Sequence, residues 1–248
     1  GPAAIAVYPS AGAWRRCCER DAALQDAPPQ WAIACAAGPG DAPQLRWLES
    51  ERRLSQRLWR ECGVVVAPLA DDNTQRGMFD SLLVMGHGDV PQGNLALSGL
   101  RLDTERVLGA HDAAAGGGFL HVLLSACVLG RTDDAFGEPL GFLSACFGYR
   151  TRFGVGWLTE VPDDAACLFS LALQFTLRRA LGASARATAW SDAFHSTCRC
   201  IEQGTWPDGF ATWLAQGSDD AVDPVRRWPP VPPQSLRRVL PWAVALGA

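Results

Sequence analysis

The sequence predicts an α/β fold, with a mostly parallel central sheet covered by helices on both faces. Two observations predict it. Short, wholly apolar runs alternate with helical stretches along most of the chain. These runs lack the polar alternation of a half-exposed sheet, as expected of strands covered on both sides. The length of 248 residues lets one core bury roughly 70–75% of the surface the unfolded chain exposes.

Each element has its own signal. Trp31 to Ala37 is an apolar run ended by Gly38-Pro39-Gly40, a strand and turn. From Gln44 to Cys62, the residues Trp47, Leu48, Leu54, Leu58, Trp59 and Cys62 fall on one stripe. At about 100° per residue that stripe is roughly 140° wide, which predicts a helix interrupted on its apolar side by Glu51. Gly63 closes it, and Val64 to Ala67 is the next strand, stopped by Pro68. Ser81 to Met85 and Phe119 to Leu124 are two further buried strands. Glu138-Pro139 is expected to open a helix, with Pro in the first turn where its missing N–H costs nothing. Thr151 to Leu158 is a fifth strand. Pro162-Asp163-Asp164 begins a long helix to Leu181, its acidic residues on the positive end. Ala185 to Gln203 is another helix, and Phe210 to Gln216 is expected as a last strand. The pattern gives an N-terminal extension (1–24), a domain (25–217) and a tail (218–248). The tail carries Pro224, Pro229, Pro230, Pro232, Pro233 and Pro241 with Trp228 and Trp242, an extended or docking segment.

Composition excludes several functional classes. Apolar residues make up 48% and charged residues 19% of the chain, which is globular and not disordered. No apolar run approaches the roughly 18–20 residues needed to cross a bilayer. All 22 basic residues are Arg, against 26 acidic ones, for a net charge of −4. That balance argues against nucleic acid as a partner, since its binders show a basic stripe. Nine cysteines are an odd number and sit in apolar contexts such as Ala34-Cys35-Ala36 and Ala166-Cys167-Leu168. Buried free thiols of this kind suit a reducing, cytoplasmic compartment, and the N-terminus lacks the pattern of a signal peptide.

In an open parallel sheet, ligands bind at the carboxyl ends of the strands. Two such ends carry reactive side chains. His87 stands between Gly86 and Gly88, and Cys127 follows Ser125-Ala126. A thiol is nucleophilic as the thiolate, and an imidazole can take its proton and deliver one to a departing amine. The pair is the minimum constellation for acyl transfer. Small neighbours let a substrate backbone come close.

These residues, with the apolar strands that lead into Gly86-His87-Gly88 and into Leu123-Leu124-Ser125-Ala126-Cys127, resemble the CHAT family of caspase-like cysteine peptidases. Gly130, Gly137-Glu138-Pro139-Leu140-Gly141, Gly154-Val155-Gly156-Trp157 and Val161-Pro162-Asp163-Asp164 extend the resemblance over roughly residues 30 to 217. It implies a three-layer α/β/α caspase-like sandwich and a Cys–His dyad endopeptidase. Cys127 would be the nucleophile, His87 the general acid/base, and the N–H groups of Gly88 and Cys127 the oxyanion hole. No metal or cofactor is implied. The implied partners are a protein substrate and an activating protein or further domain, in a bacterial signalling, defence or cell-death system. The family commonly has an acidic residue and then Thr after the Cys, where this chain has Val128-Leu129. The resemblance also implies that Glu160, Asp163 or Asp164 binds a basic P1 side chain. The rival reading of these three is helix capping.

Other residues read more plainly. Cys146 repeats the Ser-Ala-Cys tripeptide inside a predicted helix and is expected to serve packing. His195, Cys198 and Cys200 cluster on one helix, a poor geometry for tetrahedral metal binding. His111 reads as solvated, His121 as packed at a strand start, and Asp89 as a loop carboxylate near His87. Gly116-Gly117-Gly118 precedes a strand, with no Lys, so it is not a phosphate loop. Two alternatives to the peptidase stand: an inactive scaffold of the same fold, and a flavodoxin-like ligand binder.

Overall fold

The structure, a computed structural model, describes residues 30–36, 38, 44–68, 79–94, 97–102, 106–114, 118–130, 133–135, 138–147, 149, 151–183, 186–217 and 232–247. The N-terminal extension, Pro39-Gly40, Gly116-Gly117 and the tail residues from Pro224 to Pro230 lie outside the described residues.

The described residues begin with β1 (Trp31–Ala36), α1 (Leu48–Arg60), β2 (Val66–Pro68) and β3 (Ser81–Gly86). A small antiparallel sheet follows: β4 (Gly88–Asp89), β5 (Gly99–Arg101) and β6 (Val107–Gly109). Next come α2 (Ala110–Ala114), β7 (His121–Ala126) and the hairpin β8 (Asp133–Ala135) and β9 (Glu138–Leu140). The remainder is α3 (Phe142–Phe147), β10 (Phe153–Trp157), α4 (Asp163–Ala183), α5 (Arg186–Glu202), α6 (Phe210–Gly217), α7 (Pro233–Leu236) and β11 (Ala243–Gly247).

The central sheet has the order β11-β10-β7-β3-β1-β2. Every pair is parallel except β10–β11. Side chains of a strand alternate between faces, so each strand feeds two cores. Leu83 and Met85 join Trp31, Ile33, Leu123, Phe153, Val155 and Trp157 in a core shared with α1, α4, α5 and α6. Leu82 and Val84 join Ala32, Ala34, Val122 and Leu124 in a second core under α2 and α3. Two covered faces explain why the strands are apolar at most positions, and the fold is a three-layer α/β/α sandwich. Trp31 lies tilted against Trp59 with ring centroids 5.0 Å apart, and the His121 ring stacks on Trp190 at 4.5 Å. Full burial of one such large side chain stabilises by roughly 1.5–3 kcal/mol.

Three segments differ from expectation. Phe210–Gly217 is a helix and not a strand. Its buried residues Phe210, Trp213 and Leu214 have the i, i+3, i+4 spacing of a helical stripe. Glu138-Pro139 does not open a helix; it lies in β9, opposite Ala135 and Asp134, and α3 begins beyond Gly141. Pro is tolerated in such a two-stranded edge ribbon because no ladder bond is required of it. Finally, the stretch beyond residue 217 is not wholly apart from the sheet, because Ala243–Gly247 pairs antiparallel with Trp157–Phe153. Pairing closes off the apolar edge that β10 would otherwise present to solvent.

Candidate active site

β3 and β7 are parallel neighbours in full register, with Gly86 opposite Ala126. His87 and Cys127 each follow one of these paired residues, so the two leave adjacent strand ends side by side, on strands about 4.8 Å apart. Gly86 has φ +141, and a Cβ there would strike the Ala36 carbonyl on β1. A Cβ at Gly88 would overlap the Cys127 carbonyl oxygen and meet Leu129 Cγ at 2.9 Å. Glycines are therefore required around His87 by the close approach of the neighbouring strand ends. The His87 carbonyl accepts the Arg101 N–H at 2.8 Å, which ties the histidine's backbone to the small sheet.

The loop after β7 is stitched to the exit of β10. Val128 N–H donates to the Thr159 carbonyl at 3.3 Å, and Gly130 N–H to the Trp157 carbonyl at 2.9 Å. Val128 holds φ +58, a left-handed conformation that a β-branched residue rarely adopts. Such strain costs of order 1–3 kcal/mol and persists only where the surroundings impose it.

The Cys127 thiol is half-buried. Its Sγ accepts the Val161 N–H at 3.3 Å, and its S–H faces the Val161 carbonyl at 3.6 Å. Burial pushes the thiol above its ordinary pKa, and the charges of Glu160 and Asp163 push it further. The N–H groups of Val161 and of Cys127 itself work in the other direction by stabilising the thiolate. At rest the sulfur is therefore a thiol, and an attack on a carbonyl must hand its proton to a base.

Two of the three acidic residues near the thiol have structural engagements. Asp163 Oδ2 accepts the Trp47 N–H at the start of α1 at 2.9 Å, and the carboxylate also receives a backbone hydrogen bond from Arg46. Burial raises its pKa against these donors, and His87 acts on it as a neighbouring charge. Asp163 thus acts electrostatically on both His87 and Cys127 while holding the N-termini of α1 and α4 together. Asp164 accepts the Ala165 N–H at 2.8 Å in the first turn of α4. Glu160 is exposed.

The remaining sequence candidates lie elsewhere or in other roles. Asp89 sits on β4, 3.9 Å from Arg101. Cys146 is buried on α3, its thiol pushed up to about 12 by burial. His195, Cys198 and Cys200 share α5, and no group of three or more metal-ligating side chains occurs among the described residues. His111 is exposed and bonds the Tyr149 hydroxyl at 2.6 Å. His121 bonds Ser81 Oγ at 3.1 Å at the start of β7. Among the described residues, no helix is long and apolar enough to cross a membrane.

Sequence reasoning missed one participant, Val161, and the depth at which Glu51 is buried. Val161 holds the sulfur through its backbone, which no side-chain pattern reveals. Glu51 is 3% exposed, on the buried face of α1. Its position within an apolar stripe was the only signal.

No protein-family model matches the chain, and no curated protein sequence does. Among solved structures, the chain is similar to caspase-1 from Spodoptera frugiperda, with 14% identity, a TM-score of 0.43, and coverage of 78% of this chain and 84% of that one. It is also similar to a secreted C11 cysteine protease from Bacteroides thetaiotaomicron in complex with an irreversible peptide inhibitor. That match has 13% identity, a TM-score of 0.40, and coverage of 69% of this chain and 59% of that one.

Proposed function

We propose that this chain is a caspase-like cysteine endopeptidase of the CHAT family that cleaves proteins with Cys127 as nucleophile and His87 as general acid/base. The observation that carries the reading is the Gly86–Ala126 register, which starts His87 and Cys127 from neighbouring strand ends. In the reaction, His87 takes the thiol proton as Sγ bonds to the scissile carbonyl carbon. The N–H groups of Gly88 and Cys127 receive the oxyanion, and one such donor is worth about 100- to 1,000-fold in rate. His87 returns the proton to the leaving amine as the C–N bond breaks. Water activated by His87 then hydrolyses the thioester and restores the thiol.

A basic P1 side chain fits the local charge. Glu160 and Asp163 both act on the sulfur, so an Arg or Lys bound beside them offsets the charges that keep the thiol protonated. Asp163 and Asp164 also have the capping bonds described above, which makes Glu160 the first of the three to test. The Val161 bonds to the sulfur fit an enzyme that waits in the cytoplasm for an activating partner or domain.

A fluorogenic peptide library varied at P1 tests the proposal, run on the parent, Cys127→Ala and His87→Ala. The expected result is cleavage after Arg or Lys that each substitution lowers by at least about a thousandfold. Cleavage that survives in Cys127→Ala overturns the proposal. The inactive-scaffold reading has its own support in Val128-Leu129 and the strained Val128 backbone. It predicts no cleavage by the parent under any activating condition.

A further inference from the structure

We propose that the peptide unit between Cys127 and Val128 is a two-position switch: the structure holds it closed, with strain in Val128, and its flip opens the candidate active site. The effect on cleavage rests on the reading of Cys127 as nucleophile; the flip itself does not. The chain reverses direction at this unit. Before it, β7 runs parallel to β10, with His121, Val122 and Leu123 opposite Phe153, Gly154 and Val155. Beyond it, the Val128 N–H meets the Thr159 carbonyl and the Gly130 N–H the Trp157 carbonyl, so the chain now runs antiparallel to the exit of β10.

Both sides of the reversal are anchored. Ala126 is in register with Gly86 on β3. Leu129 is fully buried, and its carbonyl accepts the Leu143 N–H of α3 at 3.2 Å. A Cβ at Gly156 would meet Gly130 Cα at 2.9 Å, so Gly130 is packed tightly on β10. Cys127 and Val128, between these anchors, are only half-buried. The Val128 bond, at 3.3 Å, is longer than the 2.9 Å of the Gly130 bond behind it. A peptide unit is rigid and planar, so it turns as one plate between two fixed Cα atoms, changing ψ of Cys127 and φ of Val128 together. A flip of this plate takes Val128 from φ +58 to the negative φ that a β-branched residue prefers. The strain relieved offsets the lost bond to Thr159, which leaves the two positions close in energy.

The two positions differ at Gly88. In the closed one, the Cys127 carbonyl oxygen fills the space where a Cβ on Gly88 would lie. In the open one, the plate turns the Val128 N–H to that side instead. Beside the N–H groups of Gly88 and Cys127, a carbonyl repels a developing oxyanion and an N–H attracts it. The strained, closed position is therefore the resting one.

The test is amide hydrogen exchange of the full 248-residue chain, read by NMR at residues 128 and 130 and set beside peptide cleavage. Variants are Val128→Asn and Val128→Gly, which tolerate positive φ, and Val128→Ile, which keeps the β-branch. In the parent, an open population of about 0.1–10% should give residue 128 a protection of about ten- to a thousandfold, well below that of Gly130. Val128→Asn and Val128→Gly should each raise protection at residue 128 by at least about fivefold and leave Gly130 unchanged. Both should lower kcat by a similar factor with KM unchanged. Val128→Ile should keep the parent's protection at residue 128. Equal protection of residues 128 and 130 in the parent, or no rise in either Val128→Asn or Val128→Gly, overturns the switch. A rise in protection with no fall in kcat overturns its role in opening the site. A parent that cleaves nothing contradicts the nucleophile reading, and exchange alone then decides the switch.

Discussion

A methyl group at Gly88 would occupy the space of the Cys127 carbonyl oxygen, and backbone cannot yield as a flexible side chain can. Gly88→Ala must therefore displace either the nucleophile loop or the histidine strand end. A displacement of about 1 Å costs about a hundredfold in rate. Peptide cleavage by Gly88→Ala should fall by about that factor, with KM nearly unchanged; an active Gly88→Ala would show that the two strand ends need no close approach. Cys127 itself should be slow towards alkylating reagents. Its thiol lies above the ordinary 9.0, chiefly through burial and then through Glu160 and Asp163. Glu160→Gln removes one of the two charges, so the pH at which Cys127 alkylates at half its maximal rate should drop. The three acids show how far sequence reading reaches at this scale. Their nearness to the nucleophile was legible through family resemblance, but the Trp47 N–H that Asp163 receives comes from a residue 116 positions away. Periodicity carries no signal for such a pairing.

Helices α1 and α4 meet across a mixed interface, with Leu54, Leu58, Leu171 and Leu177 in the shared core and the Trp59–Gln174–Ser170–Glu51 chain running through it. A buried carboxyl makes this interface pH-dependent. The Glu51 pKa rises from 4.5 to about 7 on folding. A raised acid binds its proton more tightly in the folded state, so its stabilising effect is complete below 4.5 and is lost as pH rises through 7. The difference corresponds to about 3 kcal/mol. Urea unfolding at pH 5 and pH 8 should show part of this loss in the parent and much less in Glu51→Gln. Gln174→Leu should cost about 2–4 kcal/mol at either pH, because it leaves the Trp59 indole N–H buried and unpaired. In sequence, Glu51 only interrupts an apolar stripe, and one polar residue in a helix usually marks its solvent edge. Helix α6 and strand β9 were misread for related reasons. Eight residues are too few for periodicity to separate a helix from a strand, and Pro139 fits a first turn as well as an edge ribbon.

Across the whole molecule, four of the six strands described in the central sheet were legible as mainly apolar runs: β1, β3, β7 and β10. β2 was legible through Val64 to Ala67, although only Val66–Pro68 pairs. β11 was not, because Ala-Val-Ala-Leu-Gly is short and follows a proline-rich stretch that suggests a tail. What the sequence could not show is that β10 needs a partner on its open edge. Leu246 is 7% exposed in the core under α3, so the strand is anchored by burial as well as by its ladder. Removing residues 243–248 should lower stability by about 3 kcal/mol or more, through lost strand hydrogen bonds and lost apolar burial. Thermal unfolding of the truncated chain checks this, and an unchanged midpoint would mean that β11 adds nothing to the sheet. The proposed pair, His87 and Cys127, was singled out because both residues directly follow strong strands, where topology and chemistry coincide.

The central claim is that Cys127 and His87 act together on a peptide carbonyl. It is tested most directly by a peptidyl acyloxymethyl ketone with Arg at P1, which alkylates a peptidase nucleophile in place of cleavage. Mass spectrometry of the digested adduct should find one thioether on Cys127, absent in His87→Ala. A label on another cysteine, or an equal label on Cys127 without His87, would contradict the dyad.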